Sequence, residues 1–232
     1  MERDQSPVAS VVIPTLNDTQ LLAELLGEIA AADGFEVIVV DGGSQDDPAA
    51  ACERHGARFV HCEPHRARQM RRGAELARGS LIWFLHADSS VEPALLDAVR
   101  NAAGSVTWGR FDVRLSNPSP VFEVIAWCMN QRSRLTGICT GDQGIFVSRR
   151  LLDAVGGMPD QPLMEDIELS KRLRRLKRPK RMRERLKASS RRWERDGVVW
   201  TTLLMWSVRV RYFFGARTDD LRASYYADRP IE

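Results

Sequence analysis

The chain lacks most of the features that identify a site at once. Its four cysteines, Cys52, Cys62, Cys128 and Cys139, form no CxxC pair and match no zinc spacing. A zinc module is therefore not expected, and a reduced, cytosolic setting fits. No run reaches the roughly 20 apolar residues that cross a bilayer. The nearest, residues 198–208, is interrupted by Thr201, Thr202 and Ser207. Met1 to Pro7 carry no apolar core of a secretory leader, so none is expected. GxGxxG and GxxxxGK(S/T) are absent, which removes the dinucleotide fingerprint and the P-loop. The formal charge of +3 is too small to point at a partner, and no nucleic-acid ligand is expected. Repeats and low-complexity linkers are missing too, so the 232 residues read as one domain.

What is present is an alternation. Short apolar runs (Val8 to Ile13, Phe35 to Val40, Ala57 to Cys62, Leu81 to Leu85) alternate with helical patterns (Asn17 or Asp18 to about Ala32, a segment opened by Asp46-Asp47-Pro48, Arg66 to Arg78). Runs without a polar face suit strands buried on both sides, and this spacing predicts an α/β fold with a doubly wound, mostly parallel sheet flanked by helices. Beyond Asp88 the pattern loosens. Helices are expected over Pro93 to Ala103, Val121 to about Arg134 and Leu163 to about Arg178. Strands are expected over Ser105 to Leu115, with mixed alternation, Ile145 to Ser148 and Arg181 to Ser189. A last helix is expected from Glu194 to about Phe214. Charge is concentrated from Lys171 to Arg192, with thirteen Lys or Arg against one acid, Glu184. Such a segment suits phosphates, an acidic substrate or anionic lipid, or is simply a solvated face.

Three strand ends carry chemistry: Pro14-Thr15-Leu16-Asn17, Asp41-Gly42-Gly43-Ser44 and His86-Ala87-Asp88. Ligands of open α/β sheets lie outside the carboxyl ends of the strands, so all three face one edge. An Asp there can meet a base or ribose, or hold a hard divalent cation on a diphosphate. Each is also an ordinary turn when taken alone. Arg66, Arg68, Gln69, Arg71 and Arg72 crowd a helix start, where an anion can bind. Glu165 and Asp166 open a helix, a position that favours acids whether or not they react.

Taken in order, Val-Val-Ile-Pro-Thr-Leu-Asn, Val-Ile-Val-Val-Asp-Gly-Gly-Ser, Arg-Ala-Arg-Gln-Met, Phe-Leu-His-Ala-Asp and Met164-Glu165-Asp166-Ile167-Glu168-Leu169 closely resemble family 2 glycosyltransferases of the GT-A fold, over residues 8–195. Trp108-Gly109-Arg110-Phe111-Asp112, Thr140-Gly141-Asp142-Gln143 and Pro162-Leu163-Met164-Glu165-Asp166 look most like a small bacterial branch named for association with radical-SAM and selenium- or arsenic-related genes. The resemblance implies a metal-dependent, inverting transfer from a nucleoside diphosphate sugar to an acceptor hydroxyl, by a hexosyltransferase-like enzyme. Residues 8–104 would hold the nucleotide sugar, 105–195 the acceptor and catalytic groups, and 196–232 a helix and tail.

Residue by residue, the resemblance makes Asp41 the acid on the donor base, with Pro14, Thr15, Asn17 and Gly43 beside it and Arg68 toward the diphosphate. His86-Ala87-Asp88 matches DxD, so Asp88 would bind Mn²⁺ or Mg²⁺; His86 departs from the motif and is read as a ribose or supporting contact. Asp166 would be the base that takes the acceptor's proton, with Glu165 adjacent. Asp142 is a donor-sugar or acceptor contact. Trp108, Arg110, Gln143, Arg192 and Trp193 are candidates for acceptor or diphosphate. Ser189 replaces the Gln of QxxRW, so processive polymer synthesis is not supported.

Two rivals remain. A nucleotidyltransferase would want a Gly-rich basic loop after strand one, where Pro14-Thr15-Leu16-Asn17 stands. An inactive sugar-nucleotide or lipid-surface binding module is supported by His86. Trp200, Leu203, Leu204, Trp206, Val210, Tyr212, Phe213 and Phe214, with Arg209 and Arg211, would suit a membrane interface. With the basic segment, residues 171–214 would then serve a lipid-linked acceptor at the inner membrane. A helix packed on the domain, or a homodimer face, is the preferred reading, since aromatics are usually buried. A small-molecule acceptor is equally open.

Overall fold

A computed structural model describes residues 6–226. Its frame is a seven-stranded sheet of order β3-β2-β1-β4-β6-β5-β7. The strands are β1 (Ala9–Thr15), β2 (Phe35–Asp41), β3 (Arg58–His61), β4 (Leu81–Phe84), β5 (Trp108–Leu115), β6 (Phe146–Ser148) and β7 (Lys180–Ala188). The four strands β3, β2, β1 and β4 are parallel, β6 runs antiparallel between β4 and β5, and β5 pairs parallel with β7.

Alternating side chains feed both faces, as a buried parallel sheet requires. Val11, Ile13, Val39 and Trp83 meet Leu22, Leu25, Leu26 and Ile29 of α1 (Thr19–Ala30), and Leu95 and Val99 of α4 (Pro93–Ala102). Val12, Ile38, Val40 and Ile82 meet Met70 and Ala74 of α3 (Arg66–Leu76), and Leu169 and Leu173 of α7 (Glu165–Leu176). Two short helices, α2 (Ala49–Arg54) and α6 (Arg149–Ala154), close connections between strands. The sequence reading found the opening of the first and missed the second.

The carboxyl-terminal part differs more from expectation. Strand β5 shows no mixed alternation. It is buried at every position but Arg114, because α5 (Pro120–Thr136) covers it through Phe122, Ala126 and Met129. The expected helix from Glu194 to Phe214 is two helices, α8 (Arg191–Asp196) and α9 (Val198–Phe213), broken at Gly197 with φ 87°. A further helix, α10 (Thr218–Tyr226), follows.

Helix α9 also overturns the packed-aromatic reading. Thr201 and Val208 are buried, and Leu204, Met205 and Tyr212 pack at the edge of the core. Val199, Trp200, Leu203, Trp206, Val210, Phe213 and Phe214 are exposed, with Trp200 at 61%, Trp206 at 57% and Phe213 at 78%. At 100° per residue these seven fall on one side of the helix. The helix is apolar on two faces, and the domain covers one. No helix among the described residues is long and apolar enough to cross a membrane.

Candidate active site at the carboxyl edge of the sheet

The loops after β1 and β2 are laced into one ledge. Asp41 is buried, and its carboxylate accepts from the N–H groups of Gly43 (2.9 Å) and Ser44 (3.1 Å) and from Ser44 Oγ (2.5 Å). Asn17 donates its N–H to Ser44 Oγ, and its own Oδ1 accepts from the Gln45 N–H at 2.9 Å. Asn17 sits at φ 56°, which its short polar side chain tolerates. Asp18 makes no side-chain cap on α1; Asp46 instead accepts from the Thr19 N–H at 2.9 Å. Asp41 therefore shapes the ledge on which Pro14 and exposed Gly43 lie. Gln69, expected among the residues of an anion-binding helix start, instead fastens it. Its buried amide donates to the carbonyls of Thr15 (3.0 Å) and Val40 (2.8 Å), bridging the two strand ends.

The β4 end brings in the second half of the chain. Strand pairing stops at Phe84, and the Ser89 N–H donates to the His86 carbonyl at 3.1 Å, closing a tight turn. His86 and Asp88 emerge half-buried on either side of buried Ala87. Asp88 lies 3.6 Å from Arg191, which also meets Asp18 at 3.0 Å. His86 rests on the short helical turn Gly141–Gln143. A Cβ on Gly141 would stand 2.3 Å from His86 Nε2, so only glycine admits the ring there. Asp142 Oδ1 is 3.8 Å from His86 Nδ1. The Gly141 N–H donates at 2.9 Å to Asp166 Oδ2, while Asp166 Oδ1 accepts from the Ile167 N–H at 2.7 Å. Met70, Phe84, His86, Gly141, Ile145, Met158, Glu165 and Asp166 thus line one narrow cleft.

Helix α7 opens on Met164 at φ 65°, a left-handed residue that costs about 1 kcal/mol without glycine. From this turn Glu165 and Asp166 diverge. Glu165 is 2% exposed and accepts from Arg66 Nε at 2.6 Å. Burial works against the Arg66 cation, but Glu165 and Asp166 outweigh it and hold its pKa well above the ordinary value. Glu165 thus lines the cleft while one of its carboxylate oxygens is engaged by Arg66. Asp166, half-buried, faces the cleft.

Several expected contacts lie elsewhere. Trp108 is fully buried and donates Nε1–H to the Lys177 carbonyl. Arg110, 2% exposed, is bound to Asp112, Ser133 and the Asn130 carbonyl inside the domain. Gln143 is buried in a capping box with Thr140. Trp193 packs among Val113, Leu115 and Phe122. None of these four can touch an acceptor. Arg192 stacks on Tyr225 of α10 at 3.8 Å. Arg68 pairs with Asp160 at 3.0 Å.

Two arginines that the sequence did not single out for the site do approach it. Arg132 of α5 and Arg209 of α9 are half-buried, and the acids that act on both are Asp142 and Asp166. Burial first, and then the neighbouring Arg209, pull Arg132 down to about 10. Among the described residues no three His, Cys, Asp or Glu form a ready metal cage. Asp88, with His86 next to it, offers the one-carboxylate set that suits Mg²⁺ or Mn²⁺ when phosphate oxygens and water complete the shell.

The family described as Glycosyl transferase family 2 matches residues 10–140. The undecaprenyl-phosphate 4-deoxy-4-formamido-L-arabinose transferase of Pseudomonas savastanoi pv. phaseolicola is 31% identical over 172 residues, covering 63% of this chain and 49% of that protein. The chain spans half or less of the length of the first curated relatives it matches. Among solved structures, S. aureus TarS 1-349 superposes with a TM-score of 0.64 at 18% identity, over 78% of this chain and 60% of that one. The mannosyltransferase PcManGT from Pyrobaculum calidifontis, solved with GDP-Man and Mn²⁺, gives 0.59 at 21% identity, over 78% and 56%. The fold is that of GT-A glycosyltransferases.

Proposed function

The chain belongs to glycosyl transferase family 2, and on that premise we propose that it moves a sugar from a nucleoside diphosphate donor to an acceptor hydroxyl. One observation carries the reading. His86, from the turn after β4, and Asp166, from α7, meet around Gly141 at the carboxyl edge of the parallel strands, and Asp88 stands two residues beyond His86 on the same turn, against Arg191. The ledge would receive the nucleoside. Asp88 would hold Mn²⁺ or Mg²⁺, which supplies charge neutralisation on the diphosphate. Arg191, already beside Asp88, adds a second positive charge there. Asp166 takes the proton of the attacking hydroxyl, its carboxylate aimed by two backbone N–H groups. Glu165 is engaged by Arg66, which supports its supplying no nucleophile and a single displacement with inversion.

The finer assignments follow the same evidence. Thr140-Gly141-Asp142-Gln143 at the base supports the small radical-SAM-associated branch. The exposed stripe of α9, with Trp200 and Trp206, supports peripheral contact with an anionic bilayer, since aromatic faces beside basic side chains favour that interface.

The test is a donor screen. The full chain is incubated with a panel of nucleoside diphosphate sugars, with Mn²⁺, Mg²⁺ or chelator, reading thermal shift and release of nucleoside diphosphate. A shift and slow release for one donor, lost with chelator and in Asp88→Ala, is the expected result. Silence with every donor and both metals overturns it in favour of a binding module.

A further inference from the structure

Arg132 and Arg209 lie 77 residues apart in sequence, yet Arg132 feels the charge of Arg209, both feel Asp142 and Asp166, and Arg132 reaches Thr140 at the start of the Gly141 turn. Among the described residues neither has a carboxylate within salt-bridge distance, and Arg132 Nε is buried without a hydrogen-bond partner. The one hydrogen bond of the Arg132 side chain is a long one, 3.4 Å to Thr140 Oγ1. Two half-buried guanidinium groups that repel each other, with donors unused, are costly unless an anion joins them. Other arginines inside or at the edge of the core are treated differently: buried Arg110 has Asp112, and Arg66, itself partly exposed, has buried Glu165.

We propose that Arg132 and Arg209 form the binding site for a phosphate group carried by the acceptor, seated beside Asp166. The inference rests on the reading of Asp166 as the base. A phosphate monoester brings two negative charges and three acceptor oxygens, matching two forked cations better than a single carboxylate does. The donor diphosphate is served by a different set, Arg191 with Asp88 and Asp18. Arg132 and Arg209 act instead around Asp142 and Asp166. An anion held there fixes the acceptor's position relative to the base, and the two guanidinium groups offset the repulsion from the two acids.

The experiment titrates the full chain with inorganic phosphate at constant ionic strength, by calorimetry and thermal shift, in wild type, Arg132→Gln, Arg209→Gln, Arg132→Lys and Asp88→Ala. Saturable binding in the millimolar range is expected. Each Gln variant weakens it more than about tenfold, Arg132→Lys weakens it less, and Asp88→Ala leaves it intact. Without phosphate, the Gln variants melt no lower than wild type, because each removes a repulsion; a purely structural arginine would lower the melting temperature. Lysophosphatidic acid in micelles and glycerol 3-phosphate, both phosphate monoesters that carry a free hydroxyl, offered with the donor found above, distinguish a lipid headgroup from a soluble phosphate. Phosphate affinities in both Gln variants within twofold of wild type, or no saturable binding at all, overturn the proposal. Arginine-dependent phosphate binding in a protein that turns over no donor would leave the anion site standing and reject Asp166 as base. Donor turnover with arginine-independent phosphate binding would do the reverse.

Discussion

The two halves of the sheet build their chemistry by different means. From β1 to β4 the strands are parallel, their register is unbroken, and each polar group sits within four residues of its own strand end. From β5 onward an antiparallel strand intervenes, the β5–β7 register shifts between Phe111 and Asp112, and the site groups arrive from four separate elements. Arg132, Gly141, Asp166 and Arg209 share no local pattern. The donor edge is a product of secondary structure, and the base side is a product of tertiary packing. The first tolerates change in the helices behind it; the second depends on each contact between its pieces.

That contrast can be broken at single residues. The largest effect is expected from Asp166→Asn, which should lower transfer by about 10²–10⁴-fold while keeping the donor-induced thermal shift. Asp88→Ala should lower transfer by about 10²–10³-fold and lose that shift. If both variants lose donor binding, the two sides are not separable. Gly141→Ala comes next. The new methyl must displace His86, and transfer should fall roughly tenfold with the melting temperature nearly unchanged.

Glu165→Gln tests the opposite role. Arg66 is partly exposed and can be hydrated, so leaving it without its partner should cost about 1 kcal/mol. The melting temperature should then drop by about 2–4 °C, with transfer reduced far less than in Asp166→Asn. Comparable losses of transfer in the two variants would make Glu165 part of the chemistry.

The smallest effect concerns His65, whose Nδ1 accepts from the Arg68 N–H and caps α3. Burial, and then Arg68, hold its pKa below the ordinary 6.5 against the pull of Asp160. The unfolded chain therefore takes up the proton first. This contribution to stability is complete above pH 6.5 and fades as pH falls through the lower folded value. Melting curves between pH 8 and 5.5 should show a slight acid slope that His65→Asn flattens.

The same contrast governs how much the sequence disclosed. The parallel strands, the helices between them, and the Asp41 and His86-Ala87-Asp88 turns could be read because apolar runs and the polar residues that end them are adjacent in the chain. Asp166 could be read through an ordered set of motifs. Trp108, Arg110, Gln143 and Trp193 misled, because residue type does not say which side of a strand or turn is buried. Arg110 belongs to a buried pair with Asp112, and that pairing depends on β7 bringing Arg181 alongside. Gly197 lay inside an apolar pattern that continued past it. The exposed face of α9 was hidden because both faces of that helix are apolar, and only its neighbours decide which one is covered. Arg132 and Arg209 gave no signal for the site: each is one of two arginines in its helix, and Arg209 was legible only as a flank of the apolar face of α9.

The Gly141 turn has a consequence for engineering. The group that aims Asp166 is a peptide N–H, and no side-chain substitution can delete it. Positions 132, 142 and 209 can therefore be varied to retune which acceptor is taken without re-aiming the proposed base. Position 141 is the exception, since any added atom there reaches His86 before it reaches a substrate. A library built on the first three positions, with 141 held as glycine, would search acceptor choice while leaving the proton-transfer geometry fixed.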